Sequence, residues 1–418
     1  MSAVPRAVAP RRVAVTGMSL ACALGLEIET FWRALLSGAC GIAPLPAAVR
    51  AALPVRIAGQ ISDEALDAGL LRYRIKDPDR SSRLALYVVG RALEDAGLPS
   101  DGSSDIDADL ILGTGHGNIA FNNEASVTFA AHGYRKLRPT TVVRLMFNRP
   151  ASLASIRYRL CGASHTVSAA CATASVAFGE AFHRIRFGIS ERAVVACCDT
   201  GLDLPTFAAW NRLGVLSRIP EPEQASRPFD RRRNGLVIGE GAAAFVLESW
   251  ESVVARGAAI LAEVAGYGAS SDARHIVQPD AGGQVKALRA ALASAGIEGA
   301  LVDYVNAHGT ATDLADVVEA ESLRLALGPA GETVPVSNTK AQLGHLMGAT
   351  AGVELVATIL AMRYGLIPAC RNLDDPDPRC PLNFVRKAPL ERRVGYALKN
   401  SFAFGGTNSV VILKRAGH

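Results

Sequence analysis

Short apolar runs rich in branched side chains alternate with longer segments of helical periodicity along most of this 418-residue chain. The runs predict buried strands at 13–16, 110–112, 165–167, 193–196, 243–247, 261–266, 302–306, 334–337 and 396–400. Apolar positions at helical spacing predict helices at 83–97, 173–188, 284–295, 314–327 and 345–364. This alternation is typical of an α/β protein with a layered architecture. The less periodic stretches 119–149 and 199–234 are interpreted as cap or interface additions.

The composition argues against several classes of protein. Hydrophobic residues make up 49% of the chain and charged residues 20%, so a large core is available. The net charge is +5, and only 231–233 forms a basic run, so we expect no nucleic-acid partner. The N-terminus leads into no signal sequence, and the apolar stretch after Arg12 reaches Glu27 too soon to span a bilayer. We therefore expect no membrane association.

The eight cysteines are spread along the chain without a CxxC pair, so we expect no zinc or other metal site. Since no signal sequence is recognised, we expect a reducing, cytoplasmic compartment and buried thiols rather than disulfides. One of them, Cys171, lies in Val-Ser-Ala-Ala-Cys-Ala-Thr-Ala-Ser, between a predicted strand and a predicted helix. The start of a helix favours a thiolate, as a nucleophile requires. Taken alone, however, Cys171 is more simply explained as a small buried thiol at a strand–helix corner.

Two histidines lie in polar, glycine-containing segments. His308 follows the predicted strand 302–306 in Asn-Ala-His-Gly-Thr-Ala-Thr, and His345 lies in Gln-Leu-Gly-His-Leu-Met-Gly. Taken alone, each histidine is better explained by a structural role. Together with a poised cysteine they favour acid–base or hydrogen-bonding chemistry.

A glycine pair follows Phe404 in Asn-Ser-Phe-Ala-Phe-Gly-Gly-Thr-Asn. Two glycines allow a sharp turn that exposes backbone N–H groups, which is the geometry of an oxyanion hole. A tight hairpin turn explains the same pattern.

Together these segments resemble the elongating β-ketoacyl–acyl carrier protein synthases of fatty acid and type II polyketide synthesis. The resemblance extends from Arg-Val-Ala-Val-Thr-Gly at 12–17 to Asn-Ser-Val-Val-Ile at 408–412, and the order Cys, His, His agrees with it. Further matching segments are Ala-Ser-Arg-Pro-Phe-Asp at 225–230, Ile-Gly-Glu-Gly at 238–241 and Gly-Tyr-Gly-Ala-Ser-Ser-Asp-Ala at 266–273.

The resemblance implies a thiolase-like α/β fold with two similar halves. Each half would contain a mixed five-stranded sheet, and the sheets would stack in α-β-α-β-α layers. The implied division is a tail at 1–11, an N-terminal half at 12–255 carrying Cys171, and a C-terminal half at 256–418 carrying both histidines. The similar segments 167–171 and 336–340 hint at the same duplication.

The resemblance also implies roles for single residues. Cys171 would carry the growing acyl chain, while His308 and His345 would bind the malonyl thioester and promote loss of CO₂. The backbone N–H groups of Cys171 and Phe404 would form the oxyanion hole. Lys340 would order the histidines with Glu354 as a supporting acid. Residues assigned to substrate binding are Thr310 and Thr312 for the phosphopantetheine arm, and Phe404 and His116 for the gate and wall of the acyl pocket.

No cofactor is implied, because the substrates are carried on the phosphopantetheine of an acyl carrier protein. That carrier is the expected partner, with a second subunit that completes a homodimer or a heterodimer with a related chain-length factor. The sequence departs from the family pattern at several places, which favour a secondary-metabolite synthase: His116, 196–200, Asn234, Asp313 and Ala403. The alternative is a chain-length-factor-like subunit without a catalytic role, which the presence of Cys171 opposes.

Overall fold

The computed structural model describes residues 10–418, so most of the predicted tail at 1–11 lies outside the described residues. Strands of this part of the chain are β1 Val13–Ala21, β2 Ile42–Pro44, β3 Ile57–Gly59, β4 Asp109–Gly113, β5 Ser164–Val167, β6 Arg192–Asp199, β7 Gly241–Ser249, β8 Ala262–Ser271, β9 Tyr304–Asn306, β10 Pro335–Ser337, β11 Leu366–Ile367, β12 Asn383–Phe384, β13 Leu390–Glu391, β14 Tyr396–Phe402 and β15 Thr407–Lys414. Each predicted strand overlaps one of them.

The α-helices are α1 Ile28–Leu36, α2 Ala47–Ala52, α3 Asp63–Leu71, α4 Arg80–Asp95, α5 Ile119–His132, α6 Thr141–Leu145, α7 Arg149–Tyr158, α8 Thr173–Arg186, α9 Leu204–Leu213, α10 Pro222–Ala225, α11 Trp250–Arg256, α12 Ala281–Ala295, α13 Asp313–Leu327, α14 Ala330–Thr333, α15 Lys340–Leu343 and α16 Thr350–Tyr364. No helix in the described part of the chain has the length and apolar character needed to cross a membrane.

Two groups of five strands repeat the same pairing pattern. In the N-terminal group, β5, β4 and β6 are parallel neighbours, and β7 and β1 follow antiparallel. In the C-terminal group, β10, β9 and β14 are parallel, and β15 and β8 follow antiparallel. Three residue pairs between β1 and β8 join the groups, and the short β12 extends the edge beyond β10. The mixed five-stranded halves predicted from the family resemblance are confirmed.

The helices α8 and α16 form the central layer between the two groups of strands. The helix α8 contacts β4, β6 and β7 of the first group and β8 and β15 of the second, and α16 contacts β1, β7 and β14. On the outer faces, α4 packs on β1 and β7, and α12 packs on β8 and β15. The central helix α16 is apolar on nearly every face because it is buried on nearly every face. These are the five layers of a thiolase-like fold.

The two central helices start in equivalent positions. A short 3₁₀ turn precedes each of them, Ala170–Ala172 before α8 and Met347–Ala349 before α16. The first residue of each turn has a positive φ, 47° at Ala170 and 49° at Met347, which non-glycine residues adopt only under strain. The fold thus places the segments around Cys171 and His345 at matching points of the two halves.

One prediction of local structure needs correction, and one stretch interpreted as a cap or interface addition contains a helix. The helix predicted at 345–364 begins only at Thr350, because the left-handed Met347 and the 3₁₀ turn interrupt any helix from His345. The stretch 119–149 contains the 14-residue helix α5, of which only Phe121 is buried. Its apolar side chains lie all around the helix, so no helical period is visible in the sequence.

Candidate active site

Cys171 lies in the 3₁₀ turn that leads into α8, and 9% of it is exposed. The turn is fixed by Thr173, whose hydroxyl donates to the carbonyl of Ala170 and accepts from the N–H of Ala169. The strained Ala170 turns the chain so that the cysteine faces a cavity. The position at the start of a central helix agrees with the expectation from sequence.

Burial raises the pKa of the Cys171 thiol to about 11, although Lys340 and the backbone N–H groups of Phe404 and Cys171 act in the opposite direction. Desolvation therefore opposes the N–H groups at the helix start, and it has the larger effect on the thiol of the resting protein. The same contacts place two backbone N–H groups against the sulfur.

His345 is 1% exposed and its ring orientation is fixed. Its Nδ1 accepts from the N–H of Met347 at 3.0 Å and lies 3.0 Å from the hydroxyl of Thr350. A neutral imidazole that accepts at Nδ1 carries its proton on Nε2. That Nε2 is buried and has no hydrogen-bond partner among residues 10–418. It is therefore an unused donor in the wall of the cavity that contains Cys171.

His308 lines the same cavity, and its ring lies 5.6 Å from that of His345. Its backbone is held from two sides: the N–H donates to Glu319 at 2.6 Å, and the carbonyl accepts from Lys340 Nζ. Burial, followed by the charge of Lys340, lowers the pKa of both histidines well below the usual value. Both imidazoles are therefore neutral near pH 7.

Lys340 and Glu354 form a buried ion pair behind the histidines. The Lys340 ammonium lies 2.8 Å from Glu354 Oε1, and the two side chains are 2% and 0% exposed. A second buried lysine, Lys399, lies 3.0 Å from Glu354 Oε2. The family resemblance indicated Lys340 and Glu354 as site residues but did not indicate Lys399.

The glycine pair after Phe404 makes the predicted sharp turn. Gly405 and Gly406 have φ values of 84° and 73°, and a side chain at Gly406 would collide with Asp272. The turn directs the Phe404 N–H toward Cys171, and the Phe404 ring stacks on Trp210 at 6.0 Å. Thr310 and Thr312 also line the cavity, with their hydroxyls 2.9 Å apart.

The cavity leaves about 50 Å³ of free space, which is too little for an acyl chain. Side chains that line it include Cys171, His308, His345, Thr310, Thr312 and Phe404. The structure thus brings most of the predicted site residues to one place, with Lys340 and Glu354 directly behind them. Trp210, which also lines the cavity, was not predicted.

His116 is not among the side chains that line this cavity. Its ring lies 6.5 Å from that of Trp210, and its Nδ1 is 3.5 Å from the carboxylate of Asp199. Although burial lowers the pKa of His116, Asp199 outweighs this effect and raises it. Asp199 is fully buried and accepts N–H donors from Gly115, His116 and Gly348, so it ties the His116 loop to the His345 loop.

Sequence reasoning also missed two residues that hold the His308 loop. Glu319 accepts from the N–H groups of His308 and Gly309. Asn338 donates from Nδ2 to the carbonyls of His308 and Gly309. A usable signal existed for Glu319, because acidic residues in the first turns of α13 follow directly on the polar loop.

The layered fold and a cavity that combines a cysteine with two buried neutral histidines define a condensing enzyme of the thiolase-like class. The profile of the Beta-ketoacyl synthase N-terminal domain matches residues 10–252, and that of the C-terminal domain matches 261–374. The chain belongs to the β-ketoacyl synthase family.

The similarity to known proteins covers nearly the whole chain. The chain is 34% identical to 3-oxoacyl-(acyl-carrier-protein) synthase 2 of Coxiella burnetii, over 97% of this chain and 99% of that protein. Among solved structures, the ishigamide ketosynthase/chain length factor is similar with a TM-score of 0.89, 32% identity and coverage of 98% and 100%. The AntDE:AntF complex, a type II polyketide acyl-carrier protein with its hexaketide-bound ketosynthase, has a TM-score of 0.90, 25% identity and coverage of 97% and 100%.

Proposed function

We propose that this enzyme condenses an acyl chain held on Cys171 with a malonyl group on an acyl carrier protein, in fatty acid or type II polyketide synthesis. The observation that carries the proposal is the buried Nε2–H of His345, which has no partner in residues 10–418 and faces the cavity of Cys171. A buried donor without a partner reduces the stability of the protein unless a ligand oxygen accepts its hydrogen bond. A malonyl thioester carbonyl is such an oxygen.

The first step is acyl transfer to the cysteine. The Cys171 sulfur attacks the acyl thioester of the carrier, the carbon–sulfur bond to the pantetheine breaks, and the thiol proton passes to the departing thiolate. The N–H groups of Cys171 and Phe404 are the proposed oxyanion hole, which the contacts of both groups with the sulfur support. Burial raises the pKa of the Cys171 thiol, which supports loss of the proton during the attack.

The second step is decarboxylation. His308 and His345 donate to the malonyl carbonyl oxygen, where negative charge develops as the carboxylate leaves as CO₂. The resulting enolate carbon attacks the acyl-Cys171 carbonyl. The carbon–sulfur bond to Cys171 breaks, the released thiolate takes a proton from solvent, and the β-ketoacyl carrier departs. The scheme uses no cofactor beyond the phosphopantetheine of the carrier.

The remaining predicted residues keep supporting roles in this proposal. Lys340 donates to the His308 carbonyl, and Glu354 holds the Lys340 ammonium in place. Thr310 and Thr312 offer hydroxyls to the amide groups of the pantetheine arm. Phe404 is the gate, because the closed cavity is too small for the substrate and the adjoining glycines let the chain move.

His116 is proposed to face the acyl chain once Trp210 and Phe404 have moved. The two rings stack, so displacement of Phe404 frees Trp210 from its contact beside His116. The His116–Asp199 pair would then give this part of the pocket a polar wall. A polar wall favours an acyl chain that carries oxygen substituents over a saturated hydrocarbon chain.

Two surfaces support partner binding. The edge strand β5 pairs only with β4 among the described strands, and its residues Ser164 and His165 are exposed. Exposed apolar side chains lie on the nearby segments 119–158: Val127, Phe129, Tyr134, Val142, Val143, Phe147 and Ile156. We propose that β5 and these side chains form the contact with a second subunit, identical or related. Exposed Arg212 follows the cavity-lining residue Trp210, and exposed Arg274 precedes the cavity-lining residue Val277. These two positive charges would steer an acidic carrier protein.

Intact-mass analysis tests the proposal. Purified enzyme, an acyl-carrier donor and malonyl carrier should yield a β-ketoacyl carrier and CO₂, with a transient acyl group on Cys171. Carrier that stays malonylated while Cys171 becomes acylated would show that the chain transfers acyl groups but does not condense them. Sedimentation of the protein purified alone tests the subunit contact, and an active homodimer would exclude an obligatory heterodimer.

A further inference from the structure

Lys399 lies in the middle of β14, a strand that pairs with β9 on one side and β15 on the other. Its side chain is 0% exposed. A lysine in the interior of a sheet is rare unless a counter-charge and hydrogen bonds compensate for its lost hydration. None of the roles described above uses this residue.

The two ammonium groups behind the active site share one carboxylate. Lys340 faces Glu354 Oε1 at 2.8 Å, and Lys399 faces Oε2 at 3.0 Å. Lys399 Nζ also donates to the carbonyl of Asn400. The single negative charge of Glu354 thus balances only one of the two buried positive charges.

Glu319 supplies the second negative charge. It is 2% exposed, and its Oε1 accepts from the N–H of His308 at 2.6 Å and from Asn400 Nδ2 at 3.0 Å. Asn400 thereby links Glu319 to the carbonyl that Lys399 binds. Two buried lysines and two buried glutamates leave no net charge in this layer. Without Lys399, one uncompensated negative charge would remain beside two imidazoles.

We propose that Lys399 is a positioning residue for the condensation proposed above, whose positive charge balances Glu354 and Glu319 so that His308 and His345 remain neutral hydrogen-bond donors. A protonated imidazole would donate from both nitrogens and would break the Met347 contact that orients His345. Neutrality therefore preserves both the chemistry and the geometry of the site. In support, burial and then Lys340 lower the pKa of both histidines, and Lys399 acts in the same direction.

Other charged groups face the histidines and are unchanged by the variants below. His116 lowers the pKa of His345 and is paired with Asp199. The carboxylate of Asp316 accepts from the N–H of Thr310 and lies 3.7 Å from the guanidinium of Arg233. These groups set a constant background against which removal of one lysine charge is measured.

The test is the pH profile of malonyl-carrier decarboxylation, whose acid limb in kcat/KM follows imidazole protonation in the free enzyme. Lys399→Met keeps the length of the side chain and removes its charge. We expect the acid limb to move to higher pH by about one unit, because one buried charge is lost near the imidazoles. The matched control, Lys286→Met on the exposed face of α12, should leave the limb in place.

Removal of the opposite charge, alone and together with Lys399, separates the electrostatic effect of Lys399 from the loss of its packing. Glu354→Gln should move the limb to lower pH, and the double variant Lys399→Met with Glu354→Gln should return it near the wild-type position. If Lys399→Met does not fold, the double variant is compared with Glu354→Gln, and loss of the lysine must again raise the limb. Superimposable limbs with and without Lys399 would overturn this inference. Absence of CO₂ release from wild type and from Lys286→Met would instead refute the proposed function.

Discussion

The rings of His308 and His345 lie 5.6 Å apart and nearly perpendicular, with an angle of 89° between their planes. They come from different loops, one after β9 and the other just before α16. The His345 Nε2 is not satisfied by His308 in this arrangement, since it has no partner in the described part of the chain. The pair is therefore arranged to act on a third group, and the variants below test which step of catalysis depends on it.

Cys171→Ala should abolish condensation and leave the fold intact. The substitution removes one sulfur atom from a turn that is fixed by Thr173 and not by the thiol. Intact-mass spectrometry should show one added acyl group on wild type and none on the variant. Cys161→Ala removes an exposed cysteine and serves as control, with acylation unchanged. Acylation that persists in Cys171→Ala would place the nucleophile elsewhere.

Alkylation of Cys171 by iodoacetamide should be slow at neutral pH and rise steeply with pH. Burial raises the thiol pKa to about 11, and only the thiolate reacts. The rate should therefore increase about tenfold for each pH unit between pH 7 and 10 without reaching a plateau. Peptide mapping distinguishes this labelling from that of Cys161. A plateau below pH 8 would mean that the helix start lowers the pKa after all.

Glu354→Gln should destabilise the protein strongly. The change keeps the shape of the side chain but leaves two buried ammonium groups without their shared carboxylate. Breaking a buried ion pair by removal of one partner costs about 3–5 kcal/mol in the free energy of unfolding. Glu332→Gln is the control, because its ion pair with Arg324 is exposed and contributes about 0–1 kcal/mol. Equal denaturation midpoints for the two variants would contradict the buried triad.

His116→Ile should change acyl selectivity. The variant replaces the polar wall beside Trp210 with an aliphatic one. We expect the ratio of kcat/KM for a saturated donor to that for a β-keto donor to rise about tenfold or more. Competition between the two acyl carriers, followed by intact mass, measures this ratio. A constant ratio would remove His116 from the acyl pocket.

Much of the fold was predictable from sequence, because the apolar runs of the strands and the helical spacing of apolar residues agree with the burial of these elements on both faces. The strands around Val194 and Val246 and the central helix α8 illustrate this agreement. The start of α16 was not predictable, because the left-handed Met347 breaks a helix that composition alone would extend to His345. Such strain depends on tertiary contacts, here the bond from Gly348 N–H to Asp199.

The residues of the candidate site were predictable where a motif marks them, as for Cys171 and His345. Lys399 was not, since one lysine in an apolar run could face solvent at a sheet edge. Its burial follows only when β14 is placed between β9 and β15 and beneath α16. The resting state of Cys171 was likewise unpredictable, because local sequence reveals the helix end but not the desolvation that outweighs it.

His345→Ala should separate the two chemical steps. Acyl transfer to Cys171 depends on the N–H groups of Cys171 and Phe404, which the substitution leaves in place. Decarboxylation depends on a donor at the oxygen where charge appears as CO₂ departs, and loss of one such donor typically costs about 10²–10³ in rate. The variant should therefore accumulate acyl-enzyme and release CO₂ slowly, and His308→Ala should behave likewise.

A single-turnover assay that follows acyl-enzyme and radiolabelled CO₂ in parallel decides between two roles for His345. The control is His418→Ala, which removes an exposed histidine at the end of the chain and should leave both rates unchanged. Equal loss of acylation and decarboxylation in His345→Ala would mean that His345 removes the proton from the Cys171 thiol. Because burial raises the pKa of that thiol, a base that removes its proton would speed acylation. The two rates must therefore be measured on the same enzyme sample. Retained acylation with lost CO₂ release would instead assign the buried Nε2–H to the malonyl carbonyl.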